Sequence, residues 1–394
     1  MYRENISRAG LAAFPGTNET MRIMKMNQHK DLGILGSILL LGMCLVSSCS
    51  TDGNPDMPVA GEVTFGLSGS DAWSDTEASR AAMVDKAKLA AGGFGVFAYY
   101  DETRTAPDFM NNTKVYSTDG GTTWKYAPVK YWPNNPNDDV DFYAYAPYDA
   151  TFSVANTSKL TYTVPQDVAR QKDLLWSHSD TKNRTKEGGV VRFEFLHALS
   201  RIGFAAKARI EGDSPIDNTE KVVMTVKKIA LTSVDDMNAG SFYSQGILNL
   251  DNPGDSPAWT SLSGGQKYEL SSAHLDNEVL TLTKTGSSAP ETDFQSLTTD
   301  GNYLMILPQD LSTGGGFQVY VEYEVVLWFD DKNYFSYTNG CVGQLEIDFE
   351  ASKAYTIQFT LGLKESALGE VTITRWDERE IAFDNLLNEE RNGN

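Results

Sequence analysis

An all-β protein is predicted by three observations. Short segments of alternating apolar and polar residues recur from residue 63 to residue 376, the period-2 signature of half-buried strands. Gly, Pro, Asn and Asp clusters punctuate them, as turns require. Helical periodicity is scarce, confined to residues 77–90 (EASRAAMVDKAKLA) and the acidic tail beyond 380. Many short strands with such turns argue for β-sandwiches, and the length asks for two of them.

The strands follow in order. Val63-Thr64-Phe65-Gly66-Leu67 alternates and is followed by an aperiodic Ser/Asp/Ala loop over 68–82. The next candidates are Phe94–Tyr100, Thr122–Tyr126, Val140–Tyr145 and Leu160–Val164, the last two stopped by Pro147 and Pro165. Val190–Phe195 and Ile202–Ala208 end the first half. In the second half, Lys221–Thr232 (KVVMTVKKIALT) alternates through Val222, Met224 and Val226, then through Ile229 and Leu231. Ser241–Leu250, Tyr303–Leu307, Phe317–Phe329, Leu345–Phe349, Tyr355–Leu363 and Val371–Trp376 complete the set. The expected boundaries are 61–205 for an N-terminal sandwich, 206–376 for a C-terminal one, and 377–394 for a tail.

Ahead of the strands lies a targeting segment. Leu32 to Val46 is an apolar run of roughly 15 residues, preceded by Lys25 and Lys30 and followed by Ser47-Ser48-Cys49. At that length it falls short of the ~20 residues a membrane-spanning helix needs. A basic start, a short apolar stretch and small residues before the cut read as a secretory signal over 1–48. Small residues followed at once by Cys resemble a bacterial lipobox, in which the Cys49 thiol is lipidated and becomes the new N-terminus. Residues 1–20 carry no signal character, and Met21, Met24 and Met26 lie closer to the basic region, so the true start is expected downstream. Residues 49–60 read as a polar tether.

Of three cysteines, Cys44 lies in the signal and Cys49 at its end, which leaves Cys341 alone and no disulfide framework. The whole chain has a net charge of −20. From Cys49 onward it carries 28 basic against 50 acidic residues, a net −22. Such a surface repels phosphates and excludes nucleic-acid binding as a primary role.

Catalytic motifs are absent: there is no HExxH, CxxC, GxSxG or phosphate-binding Gly loop. Of four histidines, His29 lies in the signal, and His178, His197 and His274 stand without partners in sequence. His197, at the end of FEFLHALS, reads as a strand-end residue satisfied by backbone. Asn134–Asp139 lacks the spacing and terminal Glu of a calcium loop and reads as solvated. Trp124, Trp132, Trp176, Trp328 and Trp376 fall in strand patterns and read as core; surface stacking on sugars is the alternative. No catalytic residue, cofactor or metal is expected. Thr76–Ala82 places Arg80 between small residues in an aperiodic stretch, where an Arg-directed protease can cut; a plain surface loop is the other reading.

Several motifs together resemble the Mfa-like fimbrillin family, the type V pilins of Gram-negative gut and oral anaerobes. They are Val140-Asp141-Phe142-Tyr143-Ala144-Tyr145-Ala146-Pro147, Asp173-Leu174-Leu175-Trp176-Ser177, Phe193–Ile202 (FEFLHALSRI) and Lys353–Phe359 (KAYTIQF), followed by the Val371–Trp376 strand. The resemblance implies two transthyretin-like Greek-key sandwiches, export as an outer-membrane lipoprotein and a role as a structural subunit of a surface fimbria in adhesion. It implies cleavage by an Arg-specific protease after Arg80, with Ala81 as the new N-terminus and loss of the strand bearing Val63, Phe65 and Leu67. The groove so opened would be filled by a strand from a neighbouring subunit, the natural donor being the tail with Ile381, Phe383 and Leu386. The tail alternates only in part. An uncleaved outer-membrane surface lipoprotein, as an anchor or tip subunit or a module for a glycan or a host or bacterial surface ligand, is the alternative.

Overall fold

A computed structural model describes residues 61–375 apart from 69–85, 101–102, 104, 156–157, 178–181, 211–218, 220, 253, 255, 284–290, 300–301 and 364–366. Nearly all regular structure among them is strand. The longest described helix, Lys86–Gly92, falls at the end of the expected 77–90 segment. It stops where Gly93 takes φ +75° and its N–H donates to the Leu89 carbonyl at 2.7 Å.

The first half is built on a five-stranded antiparallel sheet in the order Met110–Val115, Phe94–Tyr99, Asp141–Ala146, Leu175–Ser177, Leu196–His197. Every residue of Phe94–Tyr99 and Asp141–Ala146 is buried, so both faces of this sheet are covered. That explains why these two segments read as nearly continuous apolar runs. One face carries Phe94, Val96, Ala98, Phe142 and Ala144 into a small core. The other carries Phe97, Tyr99, Tyr143, Tyr145 and Trp176 into a much larger core that continues to Leu363.

Against the second face lies the sheet Ala258–Ser263, Gln245–Asn249, Lys159–Thr163, Val154–Ala155. Two more large sheets continue the large core, and the short pair Gln309–Leu311 with Ile347–Phe349 adds Ile347 and Phe349 to it. In one, Ser200–Ala208 runs parallel to Lys353–Leu361 and antiparallel to Leu304–Ile306, and Lys353–Leu361 pairs outward with Ala367–Arg375. In the other, Lys221–Thr232 pairs with Phe317–Trp328, which turns back into Tyr334–Leu345. The register of Lys221–Thr232 shifts between Val226 and Lys228. That bulge is where the alternation in KVVMTVKKIALT changes phase.

The expected domain boundary at 205/206 falls inside the strand Ser200–Ala208. Gln245–Asn249, from beyond it, pairs with Lys159–Thr163 from before it. The two cores therefore do not divide at 205/206. Other differences are local. Thr122–Tyr126 forms no strand; Lys125 makes a single bridge to Tyr116. The expected strand Ser241–Leu250 forms as Gln245–Asn249, with Phe242 in a separate bridge to Gln266. Tyr334–Leu345 had no apolar alternation to announce it, because none of its residues is buried; it is an edge strand carried into the sheet by its hairpin partner.

Candidate functional site

The segment from Gly61 to Ser68 alternates in the structure as it does in sequence. Val63 and Phe65 are buried, Glu62 and Thr64 are exposed, and Leu67 is half-buried. Its strand, Thr64–Leu67, runs parallel to Val190–Phe193, with Thr64 opposite Val190 and Leu67 opposite Phe193. The Thr64 N–H donates to the Gly189 carbonyl at 3.1 Å and the Ser68 N–H to the Phe193 carbonyl at 2.9 Å.

A second wall stands on the other side. The Val63 N–H donates to the Lys130 carbonyl and the Trp132 N–H to the Gly61 carbonyl, both at 2.9 Å. Glu62 and Tyr131 form an antiparallel bridge. The segment thus lies in a groove between Lys130–Trp132 and Gly189–Phe193, hydrogen-bonded to both. The two walls are also joined directly, since Trp132 Nε1 donates to the Gly189 carbonyl at 3.3 Å.

The floor is aromatic. The Phe65 ring meets Tyr126 at 5.2 Å between centroids, Phe193 at 5.7 Å, Phe142 at 6.1 Å and Phe94 at 6.3 Å. Three of these contacts are edge-on and the Phe193 contact is stacked, the arrangements ring quadrupoles favour. The Tyr126 hydroxyl donates to the Val63 carbonyl at 2.7 Å and accepts from the Lys130 N–H at 3.2 Å. Burial raises the Tyr126 phenol above its ordinary value, which keeps the proton it donates. Burying Val63 and Phe65 is worth about 1.5–3 kcal/mol each. Sequence reasoning found Val63, Phe65 and Leu67 but not the wall at Lys130–Trp132 or the ring pocket. No local signal marked the pocket, since Phe97, Tyr99, Tyr143 and Tyr145 make the same strands aromatic on their other face.

The remaining sequence-derived sites separate from this groove. Cys49, Arg80, Ala81, Ile381, Phe383 and Leu386 lie outside the described residues, as do His178 and Trp376. His197 is held by a carboxylate and not by backbone alone: its Nδ1 lies 2.9 Å from Oδ1 of Asp173, whose side chain is fully buried. In the 134–139 loop, Asp138 accepts from Asn135 at 2.6 Å and from the Tyr100 hydroxyl at 2.7 Å, and Asp139 accepts from Asn183 at 2.6 Å. No cluster of three metal-ligating side chains occurs among the described residues. Trp132 and Trp176 are fully buried, and Trp124 packs on Phe94 at 5.1 Å. Trp328 stands beside the turn of the long hairpin, 4.9 Å from Tyr334. Cys341 is half-buried, and burial pushes its thiol up to about 11.

Comparison with known proteins places this architecture. The Fimbrillin-like family model matches residues 79–376. The chain is 23% identical over 335 residues to the fimbrium subunit Fim1C of Phocaeicola vulgatus, covering 75% of this chain and 83% of that one. A crystal structure of a fimbrial protein from Bacteroides vulgatus superposes with a TM-score of 0.57 at 18% identity, covering 80% of this chain and 99% of the other. At that identity the superposition supports the fold alone. The family match, spanning most of the chain with the five-stranded sheet and the large core inside it, shows that this chain belongs to the fimbrillin-like family.

Proposed function

We propose that the protein is a structural subunit of a surface fimbria and polymerises by strand exchange. It would be exported as a lipoprotein on Cys49 and held at the outer membrane until an Arg-specific protease cuts after Arg80. The cut removes everything before Ala81, including Val63, Phe65 and Leu67. Neighbouring subunits then refill the groove with their C-terminal segments, in which Ile381, Phe383 and Leu386 are the apolar residues. A groove of this kind makes a head-to-tail contact that does not close, and so an open filament. Adhesion is the role of such a filament.

One observation carries this reading. The first strand is bonded to both walls of its groove, yet it belongs to a segment that the cut at Arg80 would detach from the rest of the fold. Its loss exposes an aromatic pocket and two rows of backbone groups, a template for strand addition. Mass mapping of the N-terminus of protein from native cells tests it, beside a gel run without boiling or reductant. A start at Ala81 on a ladder of multimers is expected. A lipidated start at Cys49 on a monomer would overturn it and leave the uncleaved surface lipoprotein, for which the exposed Tyr334 and Phe335 of the hairpin end offer a ligand surface.

A further inference from the structure

The strand in the groove has a counterpart elsewhere in the chain. Glu62-Val63-Thr64-Phe65 and Glu380-Ile381-Ala382-Phe383 share one pattern: a carboxylate, a β-branched aliphatic, a short residue and Phe. We propose that the C-terminal segment of a second copy enters the groove in a single register. Ile381 then takes the Val63 position, Phe383 fills the Phe65 pocket, and Asp384 stands at the Gly66 position beside Arg192. This rests on the strand-exchange reading above and adds the register and the residues that select it.

The groove imposes two apolar positions spaced two apart, because Val63 and Phe65 point inward and Thr64 outward. Within residues 376–394, Ile381 and Phe383 are the one pair spaced two apart that is apolar in both members. A slip of one residue turns both to solvent. A slip of two in one direction puts Asn385 into the ring pocket. In the other it puts Arg379 at the fully buried Val63 position. Either buries a polar or charged group without a partner, which costs far more than the register it replaces.

The two ends of the pattern fit as well. The pocket formed by Phe94, Tyr126, Phe142 and Phe193 already holds a phenylalanine ring, and Phe383 is the tail's single Phe. The contacts at the Val63 position are backbone ones, Val63 N–H to Lys130 and Tyr126 hydroxyl to the Val63 carbonyl, so Ile381 can reproduce both. At Gly66 a Cβ would meet Val190 Cγ1 at 3.5 Å and Arg192 Cγ at 3.6 Å, ordinary contact distances, so a side chain fits there. Asp384 in that place sets a carboxylate along the exposed Arg192 side chain, an attraction the native Gly66 cannot make. The same register sets Arg379 at Gly61, near the Arg184 guanidinium, a like-charged contact flanked by Glu380.

The test uses the full chain in cells that assemble it, in a Cys341→Ser background, so the introduced pair supplies the only thiols after Arg80. Arg192→Cys is combined in turn with Asp384→Cys, Ala382→Cys and Leu386→Cys, and mild oxidation is followed by non-reducing gels. Only the Asp384 pair is expected to lock subunits together, since a two-residue offset moves the partner by roughly 7 Å, beyond disulfide reach. A charge swap supplies the second arm. Arg192→Asp should cut assembly about 2- to 5-fold per junction, the scale of an exposed ion pair, and adding Asp384→Arg should restore it. Arg192 is exposed, so circular dichroism of each variant should match the parent. Multimers that form but lock through Ala382 or Leu386 would overturn the register and leave strand exchange standing. A parent chain that forms no multimers at all would overturn strand exchange, and the register with it.

Discussion

The small and large cores of this molecule are closed by different means. The large core is bounded by strands of twelve residues, Lys221–Thr232, Phe317–Trp328 and Tyr334–Leu345, each paired along its length with the next. The small core is closed on one side by four residues, Thr64–Leu67, in a two-stranded parallel pair. Behind that short strand the groove keeps its own brace, the Trp132–Gly189 hydrogen bond, and its floor belongs to the five-stranded sheet. A strand of four residues can leave without dismantling the sheet beneath it; a twelve-residue central strand cannot. The proposed exchange would thus fall at a strand that, among the described residues, closes its core with a short two-stranded pair.

The comparison breaks most visibly with one substitution in each core. Phe359 is fully buried and stacks on Phe204 at 6.1 Å in the large core. Phe359→Ala should cost about 3–5 kcal/mol and lower the thermal midpoint of the whole protein. Phe65→Ala removes a ring of the same size. Its effect should instead appear as faster amide exchange at Val191, Phe193 and Trp132, with amides of Lys221–Thr232 unchanged. If both variants lower one shared transition equally, the two cores are a single cooperative unit and the contrast fails.

Tyr126→Phe is a finer cut. It keeps the ring against Phe65 and removes the hydroxyl that serves the Val63 carbonyl and the Lys130 N–H. A loss of about 0.5–1.5 kcal/mol is expected, confined to the groove and read as faster exchange at Lys130. Because burial raises the Tyr126 phenol, this bond should not weaken from neutral pH up to the ordinary tyrosine range. No change at Lys130 would mean that the hydroxyl does not hold the first strand.

The smallest effect is expected from acid at the large core's rim. Asp276 accepts from the Thr299 hydroxyl and from Asn302, and these bonds hold its carboxyl below the ordinary aspartate range. A group whose folded value is depressed stabilises above its unfolded value, and that contribution is lost as pH falls through the folded one. Asp276→Asn should therefore flatten a slight loss of stability on acidification below about pH 4. The groove contributes no such term through Tyr126, so acid should loosen the 276–302 region without releasing the first strand.

Much of this was legible from local pattern. The alternation of Val63, Phe65 and Leu67 foretold which side chains turn inward, because strand periodicity is a property of the backbone. The phase change in KVVMTVKKIALT coincides with the bulge at Val226/Lys228, which the structure alone revealed. The edge strand Tyr334–Leu345 was not legible, since a strand with little to bury carries little pattern. His197 was read as backbone-satisfied because Asp173, 24 residues away, has no sequence mark that pairs them.

By itself the sequence determined the class of the fold, the inward face of the first strand and the family resemblance. Each depends on composition or on residues within a few positions of one another. Only the tertiary structure decided what that strand meets. Thr64 reaches Gly189 across 125 positions and Val63 reaches Tyr126 across 63. The parallel partner, the second wall at Lys130–Trp132 and the four-ring pocket come from such long-range pairings. No local signal encodes them, because they are selected by the closing of the whole core and not by the chain segments that make them.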